Sequence, residues 1–300
     1  MRTMNRRQFV RRGLAAVGTV ALGRSVVAEW VQPKTLDSPR RATDRVKLGK
    51  TGIELSFLGV GTGSIGWNHA SNQTRLGQAK FTELIRHAFD LGVTFFDAAD
   101  AYGSHPFLKK ALEGIPREKY QLQSKTIHRD AETTAKDVDR FLHELGVEYI
   151  DSVLIHAVER PKWPEELQEV RKVLSEAKTK GKIRAHGCSC HTLEALQAAA
   201  ASSWVEVDQA RFNHKGASMD ARPDQVAPVL QQMHAAGKGV IGMKIFGNGT
   251  FQKPEERDAS LRYVLSQNAL NAMIIGLESP AQINEAIERL NAALEGARTA

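Results

Sequence analysis

The feature that most constrains this 300-residue chain is an alternation repeated eight times. Short apolar runs of β type fall near residues 57–63, 93–99, 120–125, 152–157, 184–189, 204–211, 239–245 and 272–277. Amphipathic helical stretches follow them near 79–91, 105–114, 131–146, 164–180, 192–202, 222–236, 255–268 and 280–296. Eight strands, each followed by a helix, predict an α/β fold in which a parallel sheet closes into a (β/α)₈ TIM barrel. An open doubly wound sheet would carry a Gly-rich phosphate fingerprint after its first strand. Gly59-Val60-Gly61-Thr62-Gly63 is too compact for that. Residues 46–54, with Lys50-Thr51-Gly52 as the turn, predict a hairpin under the bottom of the barrel.

Local signals support the helices. Phe81, Leu84, Ile85, Ala88 and Leu91 recur at helical spacing before Gly92, and Val138, Phe141, Leu142 and Leu145 do so before Gly146. Gly181 closes the charged helix that begins near Glu165.

The formal net charge of +7 raises the question of nucleic acid, and its location answers it. Residues 1–28 hold six arginines (Arg2, Arg6, Arg7, Arg11, Arg12, Arg24) and no acid. Subtracting those six from 41 basic residues leaves 35 against 34 acidic ones, about +1. No basic stripe remains, so no nucleic-acid partner is expected.

Chemistry in such a barrel collects at the carboxyl ends of the strands. The second strand runs Phe95-Phe96-Asp97 and is followed by Tyr102; the third ends Ser124-Lys125, the fourth Leu154-Ile155-His156. An acid, a tyrosine, a lysine and a histidine on successive strand ends suit proton transfer to a carbonyl oxygen. Tyr102 can give the proton, with Lys125 as the cation that raises its acidity. Asp97 holds Lys125 charged, and His156 polarises the carbonyl. Asp100, three residues beyond Asp97, is the poorer partner for Lys125.

The ordered set Phe-Asp-x-Ala-x-x-Tyr-Gly, Ser-Lys and Leu-Ile-His resembles the aldo-keto reductases over roughly residues 44–290, as do Leu48-Gly49-Lys50-Thr51-Gly52 and the run from Leu58 to Gly63. The resemblance implies Asp97, Tyr102, Lys125 and His156 as a catalytic tetrad. It also implies an extended NAD(P)H cofactor and a small-molecule carbonyl substrate. The cofactor residues it implies are Gly61 and Thr62 on the first strand, Ser189 and Cys190 on the fifth, Gln209 on the sixth, Met243 and Lys244 on the seventh, and Gln282 and Glu285 beyond the eighth. Cys190 stands where the family has an amide-bearing Asn, and Met243 where it has a ring-stacking aromatic. Gly276 and Gln282 replace the family's basic pair for a 2′-phosphate, so NADPH is not expected to be favoured over NADH. Many members continue into a C-terminal tail that closes the pocket; here the loop 64–78, with Trp67 as a substrate contact and His69 and Asn72 as further candidates, is expected to serve.

Asn5-Arg6-Arg7-Gln8-Phe9-Val10-Arg11, followed by an apolar Gly/Ala-rich stretch to Ala28, resembles a twin-arginine (Tat) signal peptide. Residues 1–28 are then the leader, 29–45 a polar linker and 46–300 the barrel. The expectation is export by the twin-arginine translocase to the periplasm or cell envelope, with no stable membrane anchor. Cys188 and Cys190, near His186 and His191, offer too few converging ligands for a closed metal site, and no metal is expected. Two other readings stay open on these residues: a barrel that binds a nicotinamide nucleotide as a sensor or partner subunit, and a sugar lyase or isomerase using Lys125 or His156 without redox chemistry.

Overall fold

The computed structural model of the chain describes residues 38–299, so the leader read at 1–28 and most of the linker lie outside the described residues. The described chain opens with an antiparallel hairpin, β1 (Arg45–Lys47) and β2 (Glu54–Ser56), paired Val46 to Leu55. Eight parallel strands then close a barrel: β3 (Leu58–Gly61), β4 (Phe95–Asp97), β5 (Gln121–Thr126), β6 (Ile150–Val158), β7 (Ile183–Cys190), β8 (Val207–Arg211), β9 (Gly239–Met243) and β10 (Ala272–Gly276), with β10 paired to both β9 and β3. The helices around it are α1 (Asn72–Arg75), α2 (Gln78–Asp90), α3 (His105–Ala111), α4 (Ala131–Leu145), α5 (Trp163–Glu166), α6 (Gln168–Thr179), α7 (Leu193–Ala201), α8 (Pro223–Ala235), α9 (Pro254–Ser266) and α10 (Pro280–Thr299). All eight expected strand–helix units are present.

Sequence dictates these elements through periodicity and caps. In α2, Phe81, Leu84, Ile85 and Ala88 form the fully buried face. Burying each of the three larger side chains contributes about 1.5–3 kcal/mol. The Asp130 side chain accepts the Thr133 amide at 2.8 Å to start α4, and Gly146, in the left-handed conformation, ends it. The helix expected over 164–180 is two helices, broken at Leu167. The break lets the Trp163 side chain, 1% exposed, bury itself and donate from Nε1 to the Ala195 carbonyl of α7 at 3.2 Å.

The hairpin turn seals the bottom. The Lys50 amide donates to the Gly237 carbonyl at 2.8 Å, on the segment entering β9. A Cβ on Gly49 would lie 2.5 Å from that carbonyl oxygen, so the turn can approach only as glycine. Ala42 is fully buried and its carbonyl accepts the Leu58 amide at 2.8 Å, so the packed fold takes in residues read as linker. Among the described residues no helix is long and apolar enough to cross a membrane.

Candidate active site

Side chains alternate across a strand, and here the alternation builds the site. Asp97 ends β4 and Lys125 sits near the end of β5; both face the barrel interior, with Lys125 Nζ 2.5 Å from Asp97 Oδ1 and 2.9 Å from the Ala98 carbonyl. Lys125 is 0% exposed, so its charge rests on this one carboxylate. Burial pushes the lysine down, and the charge and hydrogen bond of Asp97 oppose that. Asp97 is braced by Gln123, whose Nε2 lies 2.8 Å from Asp97 Oδ1 and 2.7 Å from Gln209 Oε1. Ser152 in turn donates to Gln123 Oε1 at 2.9 Å.

Tyr102 closes a short 3₁₀ turn, Asp100–Tyr102, beyond β4. Lys125 Nζ lies over its ring, 5.1 Å from the centroid. The His156 ring meets it edge-on, centroids 5.6 Å apart. A Cβ on Gly63 would fall 2.2 Å from the Tyr102 ring, so that glycine is what lets the loop after β3 lie on the tyrosine. Asp100 turns away from Lys125 and pairs with Arg140 of α4 at 2.8 Å, anchoring the turn that carries Tyr102. Burial, then the charge of Asp97, raises the Tyr102 pKa strongly, while Arg211 opposes them. The phenol therefore keeps its proton in the unliganded site.

His156 occupies the inward face of β6. The register against β7 shifts between Ile155 and Val158, and Ala157 adopts φ +53°. Such a bulge re-aims the side chain beside it. Arg129 holds the irregularity by donating to the carbonyls of His156 (2.5 Å) and Ala157 (3.2 Å). Burial, followed by Lys125, His191, Arg129 and Arg211, holds His156 well below the usual histidine pKa. It is a neutral imidazole, and its Nδ1 is buried without a partner among the described residues. Neutral Tyr102 and neutral His156 thus stand side by side as donors above a fixed ion pair.

A cavity of about 290 Å³ opens onto Asp97 and Tyr102 of this tetrad, at the lower end of the size range for ligand pockets. Gly61, Asp97, Tyr102, Gln209, Met243 and Lys244 line its inner part, and Asn72, Gly276 and Glu278 its outer part. Met243 presents its thioether 3.5 Å from Gln209 Nε2. Lys244 has left-handed backbone (φ +58°) and reaches Asn248 Oδ1 at 2.8 Å. Burial, with Arg211 and Lys125 nearby, pushes it down to about 8. Gln73, fully buried, ties the loop after β3 to the Leu277 carbonyl at 3.2 Å, and Asn72 donates to Glu278 at 2.8 Å.

Several expected cofactor residues stand elsewhere. Thr62 is fully buried and links the Asp97 carbonyl to Ser104, each at 2.8 Å. Gln282 accepts the Glu278 amide at 2.7 Å, and Glu285 pairs with Arg257 (2.7 Å) and Arg289 (2.8 Å). Trp67 is 55% exposed and does not line the cavity. Cys190 is the main correction. It and Cys188 face outward from β7, where both thiols donate to Asp208 Oδ2 at 3.5 and 3.3 Å, while Ser189 between them faces inward with its hydroxyl buried and unpartnered among the described residues. An i, i+2 pair shares one face of a strand, so Cys190 goes with Cys188 and not with the cavity. Cys188, Cys190 and Asp208 also bring three possible ligand atoms within 4.8 Å of one another, a convergence that strand spacing alone did not reveal.

Burial raises Asp208 to about 7, while the two thiols oppose it. Its folded pKa lies above its unfolded one, so between roughly pH 4 and 7 the folded state holds a proton that the unfolded state has lost. Stability from this group therefore declines across that interval. Asp208→Asn is expected to melt higher than the parent at pH 8 and to match it near pH 4. A variant that is less stable at both values would contradict the assignment.

Residues 57–261 match the aldo/keto reductase family model. A probable aldo-keto reductase 1 from Glycine max is 29% identical over 221 residues, covering 69% of this chain and 60% of its own length. An NADH-specific methylglyoxal reductase from Escherichia coli is 29% identical over 168 residues, covering 48% of this chain and 51% of its own. The chain thus spans between about half and 60% of the length of these curated relatives. The crystal structure of a putative aldo-keto reductase from Pseudomonas aeruginosa superposes with a TM-score of 0.70 at 26% identity, covering 85% of this chain and 97% of that one. With the tetrad assembled at the carboxyl end of a closed barrel and the family model matched across most of it, the chain belongs to the aldo/keto reductase family.

Proposed function

We propose that this protein reduces an aldehyde or ketone, or oxidises the corresponding alcohol, with a nicotinamide cofactor. The observation that carries the reading is the Lys125–Asp97 pair at 2.5 Å beside neutral Tyr102 and His156, with Asp97 and Tyr102 on the wall of the cavity. The nicotinamide, when bound, supplies a hydride for the carbonyl carbon. The chain's own residues do the rest. His156 donates a hydrogen bond to the carbonyl oxygen and orients it. Tyr102 gives that oxygen its proton as charge develops there, and burial keeps the proton in place until then. Lys125, fixed by Asp97, stabilises the phenolate left behind.

The cavity suits an extended dinucleotide. Gln209 lines it with an amide, Met243 with an apolar surface for a ring, and Lys244 with a cation that has no carboxylate within 4 Å among the described residues, while Ser189, outside that lining, holds an orphaned buried hydroxyl on the inward face of β7. The outer end argues about phosphate. Gly276 itself offers no basic side chain, and Glu278 faces the groove. Arg257 and Arg289 are tied to Glu285 and Asp258. NADH is expected to bind as tightly as NADPH or more tightly, since among the described lining residues Lys244 is the sole cation and Glu278 would repel a 2′-phosphate. Fluorescence titration with each nucleotide checks this; strong preference for NADPH would reject the reading of Gly276 and Gln282. The methylglyoxal reductase relative, NADH-specific by name, agrees in direction.

The leader reading gives the setting. A twin-arginine signal over residues 1–28 would deliver the folded barrel to the periplasm or cell envelope through the twin-arginine translocase. Fractionation of the full chain, with and without Arg6→Lys/Arg7→Lys, tests it; the parent is expected in the envelope fraction and the variant inside.

A further inference from the structure

Beyond the tetrad, the mouth of the barrel carries a second constellation that the proposed reduction does not use. Arg211 ends β8 two residues after Gln209 and so faces inward with it. Its Nη1 lies 2.8 Å from Asp220 and its Nη2 2.7 Å from His191 Nδ1, while its Nε is buried with no partner among the described residues. The His191 ring stands edge-on to His156, centroids 6.1 Å apart. A continuous line therefore runs from Tyr102 through His156 and His191 to Arg211. We propose that Arg211, held by Asp220 and His191, binds a carboxylate on the substrate, so that the carbonyl compound taken by this enzyme is an oxo acid. This rests on the reductase reading above and adds the substrate's charge.

Three observations separate this from an incidental ion pair. First, the pairing is built by a loop. Asn213 Oδ1 accepts the amides of Lys215 (3.2 Å) and Ala217 (3.0 Å), and its Nδ2 donates to the carbonyls of Ala217 (2.8 Å) and Lys244 (3.2 Å), folding the chain back to set Asp220 against Arg211. Second, the geometry fixes a donor array. Arginine can only donate, so His191 Nδ1 accepts and its proton sits on Nε2. Burial, then Arg211 and Lys244, pushes His191 down to about 3, so it stays neutral. Third, the charges do not balance. Lys125, Arg129, Arg211 and Lys244 all act on His191. Of these four, only Lys125 and Arg211 have a carboxylate within 4 Å among the described residues. A cofactor diphosphate at Lys244 would leave the charge of Arg129 uncompensated beside His191, and the planar Arg211 guanidinium, whose Nε has no partner among the described residues, keeps donors for a carboxylate.

The test compares 4-oxobutanoate with its uncharged methyl ester, using the full-length protein and saturating NADH. The unsubstituted enzyme is expected to show kcat/KM about 10- to 100-fold higher for the acid, the range for hydrogen bonds to a charged group. Arg211→Gln is expected to lose that preference through a larger rise in KM for the acid than for the ester; Arg211→Lys is expected to keep part of it. Equal turnover of acid and ester by the unsubstituted enzyme would overturn the proposal, and so would an equal loss on both in Arg211→Gln. The first comparison needs no variant and holds if Arg211→Gln fails to fold. If neither compound is reduced, calorimetric titration of the NADH-loaded protein with succinate, a non-reducible carboxylate, decides. Binding that Arg211→Lys weakens keeps the anion site and rejects the reductase reading; no binding rejects the anion site.

Discussion

Replacing Tyr102 by Phe is expected to lower kcat for carbonyl reduction by about 10²–10⁴-fold, the usual contribution of a positioned general acid, with NADH affinity unchanged. The substitution removes one oxygen. It leaves the ring under Gly63 and beside His156, so the wall of the cavity keeps its shape. Rapid mixing with NADH and an aldehyde separates the two quantities. If burst and steady-state rates in Tyr102→Phe match those of the parent, the proton comes from elsewhere, with His156 the next group in line. Loss of nucleotide binding in the same variant would place Tyr102 in the binding surface instead.

The second large effect concerns the ion pair. Lys125→Met strands the Asp97 carboxylate in the barrel, with both side chains at most 4% exposed. Breaking such a pair from one side costs about 3–5 kcal/mol, because the remaining charge has no counterion. Asp97→Asn in the same chain removes that charge and keeps the acceptor for Gln123, 2.8 Å away. Lys125→Met is therefore expected to melt well below the parent, and Lys125→Met/Asp97→Asn to recover most of the loss while remaining inactive. Chemical denaturation of the three proteins measures this. A double variant no more stable than Lys125→Met alone would mean that packing of the lysine stem, and not charge pairing, holds this part of the barrel.

The eight-unit architecture was legible because short apolar runs alternate with amphipathic stretches, several of them closed by glycine; Phe81, Leu84, Ile85 and Ala88 are as buried as their spacing requires. The tetrad was legible because strand ends are where a barrel places chemistry, and Asp97 and Lys125 do meet. What escaped was the second half of each interaction. Gln123 sits mid-strand between Leu122 and Ser124, and only the alternation that aligns it with Lys125 points it at Asp97. Arg211 reads as an ordinary strand-end cation until the loop returns Asp220 to it. Cys190 was placed by position along the chain, whereas the face of the strand decides where its thiol goes. The direction of the Tyr102 shift depends on desolvation, which follows from how deeply the turn after β4 is packed. The break at Leu167 follows from Trp163 seeking a partner on α7, a tertiary demand that overrides local helical preference.

The central claim is hydride transfer to a carbonyl in the cavity above the tetrad. The most direct measurement incubates the full-length protein with NADH deuterated at the transferable position and a panel of aldehydes and oxo acids, and follows the label by mass spectrometry. The account predicts deuterium on the former carbonyl carbon of at least one panel member, and loss of that transfer in Tyr102→Phe. Saturable nucleotide binding with no label transferred to any carbonyl would contradict it and leave a barrel that holds the nucleotide without reducing.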